Sequence, residues 1–152
     1  MIRRVKNLCE RYRQKRAVRK RCKDIKQKLC MSHVLPTSIE GLYLVSYCDF
    51  AYCYDGDVDL DVSHVSYNLW NETEQMYMFN RMQSKMEKLT DNLYLLDNCI
   101  YDISIHRAVY STLADIEVKK RSGDMLLMCV RNELVLFNLK TKQVQKGTQI
   151  VF

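Results

Sequence analysis

Residues 42–62 read LYLVSYCDFAYCYDGDVDLDV, and this stretch decides the fold class. Its first part, residues 42–53, is rich in the aromatic and aliphatic side chains that favour a pleated, half-buried surface. Asp55-Gly56 is typical of a two-residue hairpin turn, and residues 57–62 alternate acidic with apolar side chains. We therefore predict two antiparallel strands joined at residues 55 and 56, of which the second buries Val58, Leu60 and Val62.

The last third of the chain repeats the strand pattern in shorter pieces. Apolar runs alternate there with turn-forming residues at 97–98, 122–124 and 131–132, at the spacing of a β-meander. We expect strands at Leu93–Leu96, Ile100–Ile105, Ile116–Val118, Met125–Val130 and Leu134–Leu139, with Ile150–Phe152 as an edge strand.

One segment between these strand regions has helical periodicity. Asn71 is followed three residues later by Glu74, which resembles a capping box. A helix over residues 72–90 would pack its apolar stripe on the sheet. The expected fold is α+β: an antiparallel β-sheet of hairpins and meanders packed by one main helix, preceded by a basic amphipathic N-terminal helical arm. The stripe of the predicted helix is Met76, Phe79, Met82, Met86 and Leu89.

Charge divides the chain into a basic leading segment and an acidic remainder. Of the 24 Lys and Arg residues, 13 lie in residues 1–30, where Glu10 and Asp24 are the two acids. That segment carries +11, whereas residues 31–152, with 11 basic and 16 acidic side chains, carry −5. Such asymmetry points to nucleic acid, an anionic membrane surface or an acidic protein as partner.

The basic segment has the pattern of an amphipathic helix whose apolar register slips between Tyr12 and Val18. Repulsion among its cations is expected to keep this helix only partly formed until counter-charge arrives. Pro36, among the polar residues of 32–38, indicates a linker. We therefore predict a basic helical arm and linker over residues 1–36 and an acidic α+β domain over residues 37–152. The two stripes are Ile2, Val5, Cys9 and Tyr12, then Val18, Cys22, Ile25 and Leu29.

The cations of the arm predict binding to nucleic acid. Lys and Arg bind phosphates by releasing condensed counterions, and Tyr12 is the only aromatic ring of residues 1–30, so base stacking would be weak. We expect a non-enzymatic regulatory or accessory protein that binds nucleic acid without sequence preference, and the cluster is also typical of a nuclear import signal. The residues expected to bind are Arg11, Arg13, Lys15, Arg16, Arg19, Lys20, Arg21 and Lys23.

Other interpretations of the arm remain open. It fits a solvated helix docked on the body, or a protein-interaction adaptor that docks an acidic partner or a membrane surface. A further hypothesis is that the arm folds back on the acidic strand face and is displaced by phosphate, because tethering raises the local concentration of the two partners. That face consists of Asp55, Asp57, Asp59 and Asp61.

Chemistry-bearing motifs are missing from the sequence. It has no P-loop, dinucleotide fingerprint, nucleophile elbow or metalloprotease motif, and we therefore expect no enzymatic activity and no cofactor. Cys22, Cys30 and His33 could supply three zinc ligands, but a partner pair is missing, and buried or idle thiols are the simpler interpretation.

Cysteine usage favours an intracellular location, in the nucleus or the cytoplasm. Seven Cys residues without framework spacing indicate free thiols in a reducing compartment, and no apolar run follows the basic N-terminus as a secretory signal requires. The longest apolar-rich run is too short to span a bilayer, so we expect no transmembrane segment. The Tyr-, Cys- and Met-rich composition resembles that of small virus-encoded accessory proteins.

Overall fold

The computed structural model describes residues 2–52 and 61–147. These residues form one helix and three antiparallel sheets of four strands each, which confirms the α+β class. The chain divides into two compact units, residues 1–82 and residues 83–152. The first unit contains the helix and one sheet, and the second unit contains the other two sheets.

Helix α1 runs over Ile2–Leu29 and confirms the helix expected for the basic segment. It has no Gly or Pro, so nothing in its sequence breaks it. The helix ends in a Schellman motif, in which Cys30 adopts the left-handed φ of 54°. The N–H of Cys30 donates to the carbonyl of Gln27 at 3.4 Å, and the N–H of Met31 donates to that of Lys26 at 3.1 Å.

The first sheet is built from consecutive strands in the order β1-β2-β3-β4. These are β1 (His33–Pro36), β2 (Leu42–Tyr52), β3 (Asp61–Asn71) and β4 (Met76–Tyr77). The antiparallel pair expected on either side of the hairpin is confirmed, because β2 and β3 pair from Leu42 opposite Asn71 to Tyr52 opposite Asp61. The turn at residues 55–56 and the predicted burial of Val58, Leu60 and Val62 lie outside the described residues and side chains.

The second unit confirms the meander expected in the last third of the chain. Its two sheets have the orders β5-β6-β7-β8 and β12-β11-β10-β9, so each consists of consecutive strands. The predicted edge strand Ile150–Phe152 lies outside the described residues. The strands are β5 (Glu87–Lys88), β6 (Leu93–Leu95), β7 (Cys99–Asp102), β8 (Arg107–Ser111), β9 (Glu117–Ser122), β10 (Met125–Val130), β11 (Glu133–Asn138) and β12 (Val144–Lys146).

Both sheets of the second unit contribute to one apolar core. Alternate residues of β10 point into it, as expected for a strand with one buried face. Leu95, Ile100, Met128 and Phe137 are completely buried there and lie on β6, β7, β10 and β11. Burial of such side chains is the main stabilising contribution to a unit of this size.

The predicted helix over residues 72–90 is wrong. The amide of Glu74 does donate to the side chain of Asn71, at 3.0 Å, but this bond closes a local turn. Gln75 then adopts a left-handed φ of 56°, which reverses the chain, and β4 pairs antiparallel with the end of β3. The main helix of the fold is therefore the basic segment itself, and the apolar side chains at helical spacing belong to two different units.

Residues 33–36 form an edge strand, which corrects their assignment to a linker. β1 pairs with β2 so that Val34 lies opposite Val45 and Pro36 opposite Tyr43. An edge strand tolerates Pro36 because one side of its backbone needs no ladder hydrogen bond. The division of the chain into folding domains 1–36 and 37–152 stays a prediction.

Candidate nucleic-acid interface

Among the described residues of the first unit, it is the C-terminal half of helix α1 that packs on the sheet. Residues 2–17 are all exposed, and the first partly buried residue is Val18. Ile25 is buried to 2% exposure in a cluster with Tyr43, Val45 and Trp70. The second apolar stripe predicted for the arm, Val18, Cys22, Ile25 and Leu29, is confirmed as the face of α1 that docks on the body, because all four side chains are buried or partly buried.

The last turn of α1 is also held by polar contacts around Trp70. The ammonium group of Lys28 lies 5.7 Å from the centroid of the Trp70 ring and donates a hydrogen bond to the side-chain oxygen of Gln75. The indole N–H of Trp70 donates to a carboxylate oxygen of Glu72 at 2.6 Å. Tyr77 packs against the same ring edge to face, with centroids 4.9 Å apart. These contacts fix the direction in which the rest of α1 leaves the sheet.

All eight residues expected to bind nucleic acid lie on α1, and all eight are exposed. A helix turns about 100° per residue, so four of them share the side of α1 that faces away from the docked stripe. These four residues, the outward cations, are Arg13, Arg16, Lys20 and Lys23. They span about 15 Å along the helix axis, at about 1.5 Å per residue.

The other four expected residues lie on the flanks of α1 or on the side that carries the docked stripe. Arg11, Lys15 and Arg19 line a groove of about 580 Å³ between the helix and strand β1. Arg21 lies on the opposite flank, in a groove of about 610 Å³ whose charged lining is mixed because Glu40 and Glu72 contribute to it. The eight cations therefore present more than one surface, and the outward cations form the one that faces away from the docked stripe.

The eight cations expected to bind nucleic acid have no ion-pair partner among the described residues. The salt bridges observed there are Lys88 to Asp91, Lys119 to Glu117 and Lys142 to Asp102, all in the second unit. No carboxylate of residues 2–52 or 61–147 therefore forms a salt bridge with these eight cations. A positively charged surface without ion-pair partners attracts polyanions over roughly the Debye length of 8–10 Å at moderate salt.

The groove beside β1 combines the basic flank with an apolar floor. Val18 and Cys22 line it from the helix, and Val34, Leu35 and Pro36 line it from the strand. Leu35 is 57% exposed, although it is a large aliphatic residue. Among the described residues β1 pairs with β2 alone, so this groove runs along the edge of a sheet. Sequence reasoning missed the groove because residues 33–36 were assigned to a linker.

The arm's sulfur and imidazole groups do not come together as a metal site. No group of three or more His, Cys, Asp or Glu residues within 2–52 and 61–147 has an arrangement that could hold a metal ion. Cys22 faces the sheet, where burial raises the pKa of its thiol, whereas Cys30 and His33 are exposed. The acidic face of the fold-back hypothesis lies outside the described residues and side chains.

The first predicted stripe of the arm is not covered by the described residues of the first unit. Ile2, Val5 and Tyr12 are 75%, 59% and 67% exposed. The signal that could have revealed this is the slip in apolar register between Tyr12 and Val18, because it places the two stripes on different faces of one straight helix.

Within the described part of the chain, no helix is both long enough and apolar enough to cross a membrane. Comparisons of the sequence with models of known protein families and with curated proteins, and a comparison with solved structures, give no match.

Proposed function

We propose that this chain is a non-enzymatic regulatory or accessory protein that binds nucleic acid through α1. The observation that carries the proposal is the row of outward cations, which are exposed, lie on one side of a helix and have no ion-pair partner among the described residues. Because the C-terminal half of α1 is docked on the sheet, these cations have defined relative positions before a ligand arrives. Pre-organisation of this kind lowers the entropic cost of binding.

The contacts are made to phosphates and carry no sequence preference. Duplex DNA carries about one charge per 1.7 Å of its axis, so the roughly 15 Å covered by the outward cations faces about nine phosphates. Each neutralised phosphate contributes about −0.9 to the slope of log K against log salt. The expected slope is about −4 if the four outward cations bind and about −7 if all eight cations do.

The test compares two variants from which the same charge has been removed. The first is Arg13→Gln/Arg16→Gln/Lys20→Gln/Lys23→Gln, and its affinity for a random 30-base-pair duplex is measured by fluorescence anisotropy between 50 and 200 mM salt. The matched control is Arg107→Gln/Arg131→Gln/Lys140→Gln/Lys146→Gln, which removes four exposed cations of the second unit. We expect the first variant to lose affinity and about 3–4 units of salt slope, and the control to bind as the original chain does. Equal losses in both variants, or affinity that is insensitive to salt, would contradict the proposal.

The same cluster supports nuclear import. Dense Lys and Arg runs act as import signals, and the Lys and Arg side chains of residues 15–23 are all exposed. A fluorescent fusion of the full chain should accumulate in nuclei, and the variant of the outward cations should not. Equal nuclear accumulation of both fusions would remove this part of the proposal.

An acidic peptide is a second candidate ligand, favoured by the groove beside β1. An extended segment could pair with the edge of β1, place apolar side chains on Leu35 and acidic ones against Arg11, Lys15 and Arg19. A synthetic ten-residue peptide of alternating Glu and Val is the probe. Binding that is weakened by Arg11→Gln/Lys15→Gln/Arg19→Gln and unchanged in the variant of the outward cations would support this candidate, and absence of binding to the original chain would exclude it.

A further inference from the structure

The N-terminal half of α1 exposes a continuous apolar stripe. Ile2, Val5, Leu8 and Tyr12 are 75%, 59%, 64% and 67% exposed, and Cys9 is exposed as well. At about 100° per residue these five side chains fall in a sector about 120° wide, and no other residue of 2–14 falls within it. A stripe of this width is what a helix normally buries.

The remaining sector of residues 2–14 is strongly basic. It contains five cations against Glu10, a net charge of +4, together with Asn7 and Gln14. Cations border the apolar stripe on both sides, with Arg4 on one side and Arg13 on the other, as the helical angles of about 100° per residue require. Long basic side chains in such positions can extend their charged ends away from an apolar surface that accepts the stripe. The five cations are Arg3, Arg4, Lys6, Arg11 and Arg13.

Docking of α1 on the sheet leaves this stripe facing outward. The centre of the exposed stripe is rotated by about 125° from the centre of the docked stripe, as the helical repeat of about 100° per residue requires. The outward cations Arg16, Lys20 and Lys23 continue the same side of the helix toward its C-terminus. A flat surface lying along this side of α1 therefore contacts the apolar stripe near the N-terminus of the helix and the outward cations nearer its C-terminus.

We propose that residues 2–14 bind in the plane of a membrane surface rich in anionic phospholipid, with the stripe of Ile2, Val5, Leu8, Cys9 and Tyr12 inserted at the headgroup boundary. This proposal rests on the apolar stripe and is independent of nucleic-acid binding by the outward cations. A basic amphipathic helix gains both from burial of its apolar face and from attraction to anionic headgroups.

The charge of the segment selects this occupant over a second copy of the chain. Pairing two stripes would bring one +4 segment against another, whereas an anionic lipid surface neutralises the same cations. Nucleic acid offers counter-charge but no apolar layer for Val5 or Leu8, which would stay in water. An anionic membrane provides both an apolar layer for the stripe and counter-charge for the cations.

The experiment uses the full chain and vesicles in a flotation assay. Vesicles of phosphatidylcholine with 30% phosphatidylserine are compared with vesicles of phosphatidylcholine alone. The stripe variant is Ile2→Gln/Val5→Gln/Leu8→Gln, which keeps good helix formers at exposed positions. Its matched control is Ile105→Gln/Leu113→Gln/Leu134→Gln, which removes three side chains of the second unit that are 50%, 89% and 46% exposed.

We expect the original chain and the control to float with the anionic vesicles and the stripe variant to lose at least on the order of tenfold in partition coefficient, because each aliphatic side chain contributes up to about that factor. Affinity of the stripe variant for duplex DNA should stay within twofold of the original. Failure of the original chain to bind anionic vesicles, equal binding to neutral vesicles, or unchanged binding by the stripe variant would overturn the proposal. A dimer that the stripe substitutions convert to monomer in sedimentation equilibrium would also overturn it.

Discussion

The ammonium group of Lys28 lies 5.7 Å from the centroid of the Trp70 ring, which joins the last turn of α1 to strand β3. Trp70 is itself held by Glu72 and Tyr77, so the contact is made to a ring whose position is already determined. Ile25 packs three residues earlier in the same cluster. The exposed N-terminal half of α1 thus extends from a firmly attached C-terminal half.

Replacing Trp70 tests the attachment. Trp70→Ala should lower the free energy of unfolding of the first unit by about 3–5 kcal/mol, because it removes a large ring that is 6% exposed and packs on Ile25. The measurement is urea unfolding followed by far-ultraviolet circular dichroism. Tyr12→Ala is the matched control, since Tyr12 is 67% exposed, and should change the free energy by no more than about 0.5 kcal/mol. Similar effects of the two substitutions would show that Trp70 does not anchor the helix.

An ion pair to a buried carboxylate should make the second unit sensitive to acid. Asp102 is 1% exposed, and Lys142 donates to its carboxylate at 2.6 Å. Ser104 donates to it twice, from its amide at 2.9 Å and its hydroxyl at 2.5 Å. Burial by itself raises the pKa of Asp102, but the hydrogen bonds from Lys142 and Ser104 outweigh it and lower the pKa. Because the pKa of Asp102 is lower in the folded state, its ionised carboxylate stabilises the fold above the ordinary aspartate pKa of about 3.9. This stabilisation is lost as the pH falls through the pKa of the folded state.

Asp102→Asn should therefore cost about 1.5–3 kcal/mol at pH 7, where it breaks a charged hydrogen bond. The difference between the variant and the original chain should shrink as the pH falls from about 4 through the lowered folded pKa, because the carboxyl group is protonated first in the unfolded chain and then in the folded one. Unfolding curves between pH 2 and 7 measure this. The control is Asp91→Asn, which removes the exposed salt bridge to Lys88 at 3.3 Å and should change stability by no more than about 1 kcal/mol. A difference for Asp102→Asn that is constant with pH would contradict the assignment.

Asn68 is predicted to hold the turn that replaces the expected helix. Its side chain is 2% exposed, donates to the carbonyl of Phe79 at 3.0 Å and accepts from the amide of Phe79 at 3.2 Å. Asn68→Leu keeps the volume but removes both bonds, and should destabilise the first unit by about 1–3 kcal/mol. Hydrogen exchange at the amide of Phe79 should become faster. An unchanged exchange rate would mean that other contacts hold residues 72–79.

Strands with regular alternation and strong turn residues could be predicted from the sequence. β10 was predicted to the residue, because Met125–Val130 is apolar and the turn after it, Arg131-Asn132, readily adopts left-handed φ values of 51° and 63°. β4 and β5 have two residues each, which is too few to show the period of a strand. The only periodic pattern in residues 76–88 was therefore the helical spacing of the apolar side chains. The turn at Gln75 and the side chain of Asn68 decide that segment, and both act through backbone hydrogen bonds that composition does not reveal.

The candidate site was predictable in its charge but not in its geometry. The dense run of Lys and Arg over residues 11–23 identified the eight cations, whereas the division of these cations between the outward side and the sides nearer the sheet required the position of the docked stripe. The slip after Tyr12 contained that information, because a shift in apolar register rotates one stripe relative to the other. Burial of Ile25 then determines which stripe is docked and which is free.

Interrupting α1 at Ala17 should separate its two halves. Ala17 is the last residue before the docked half begins at Val18, and it is exposed. Ala17→Pro removes a helical hydrogen bond and disfavours helix at Arg16, at a cost of about 3 kcal/mol to a continuous helix. The N-terminal half should unfold to avoid this cost, so circular dichroism should lose helix while urea unfolding of the first unit changes by less than about 1 kcal/mol, since residues 2–17 are all exposed.

Function should respond more strongly than stability to this substitution. Arg13 loses its fixed position relative to Lys20 and Lys23, so duplex affinity at 100 mM salt should fall while the salt slope, which counts cations, stays nearly constant. Ala17→Ser is the matched control, because it changes the side chain but keeps the helix. Loss of slope together with affinity would mean that the cations of the N-terminal half bind only as part of a continuous helix, and unchanged affinity would mean that the arrangement of the cations on α1 does not matter for binding.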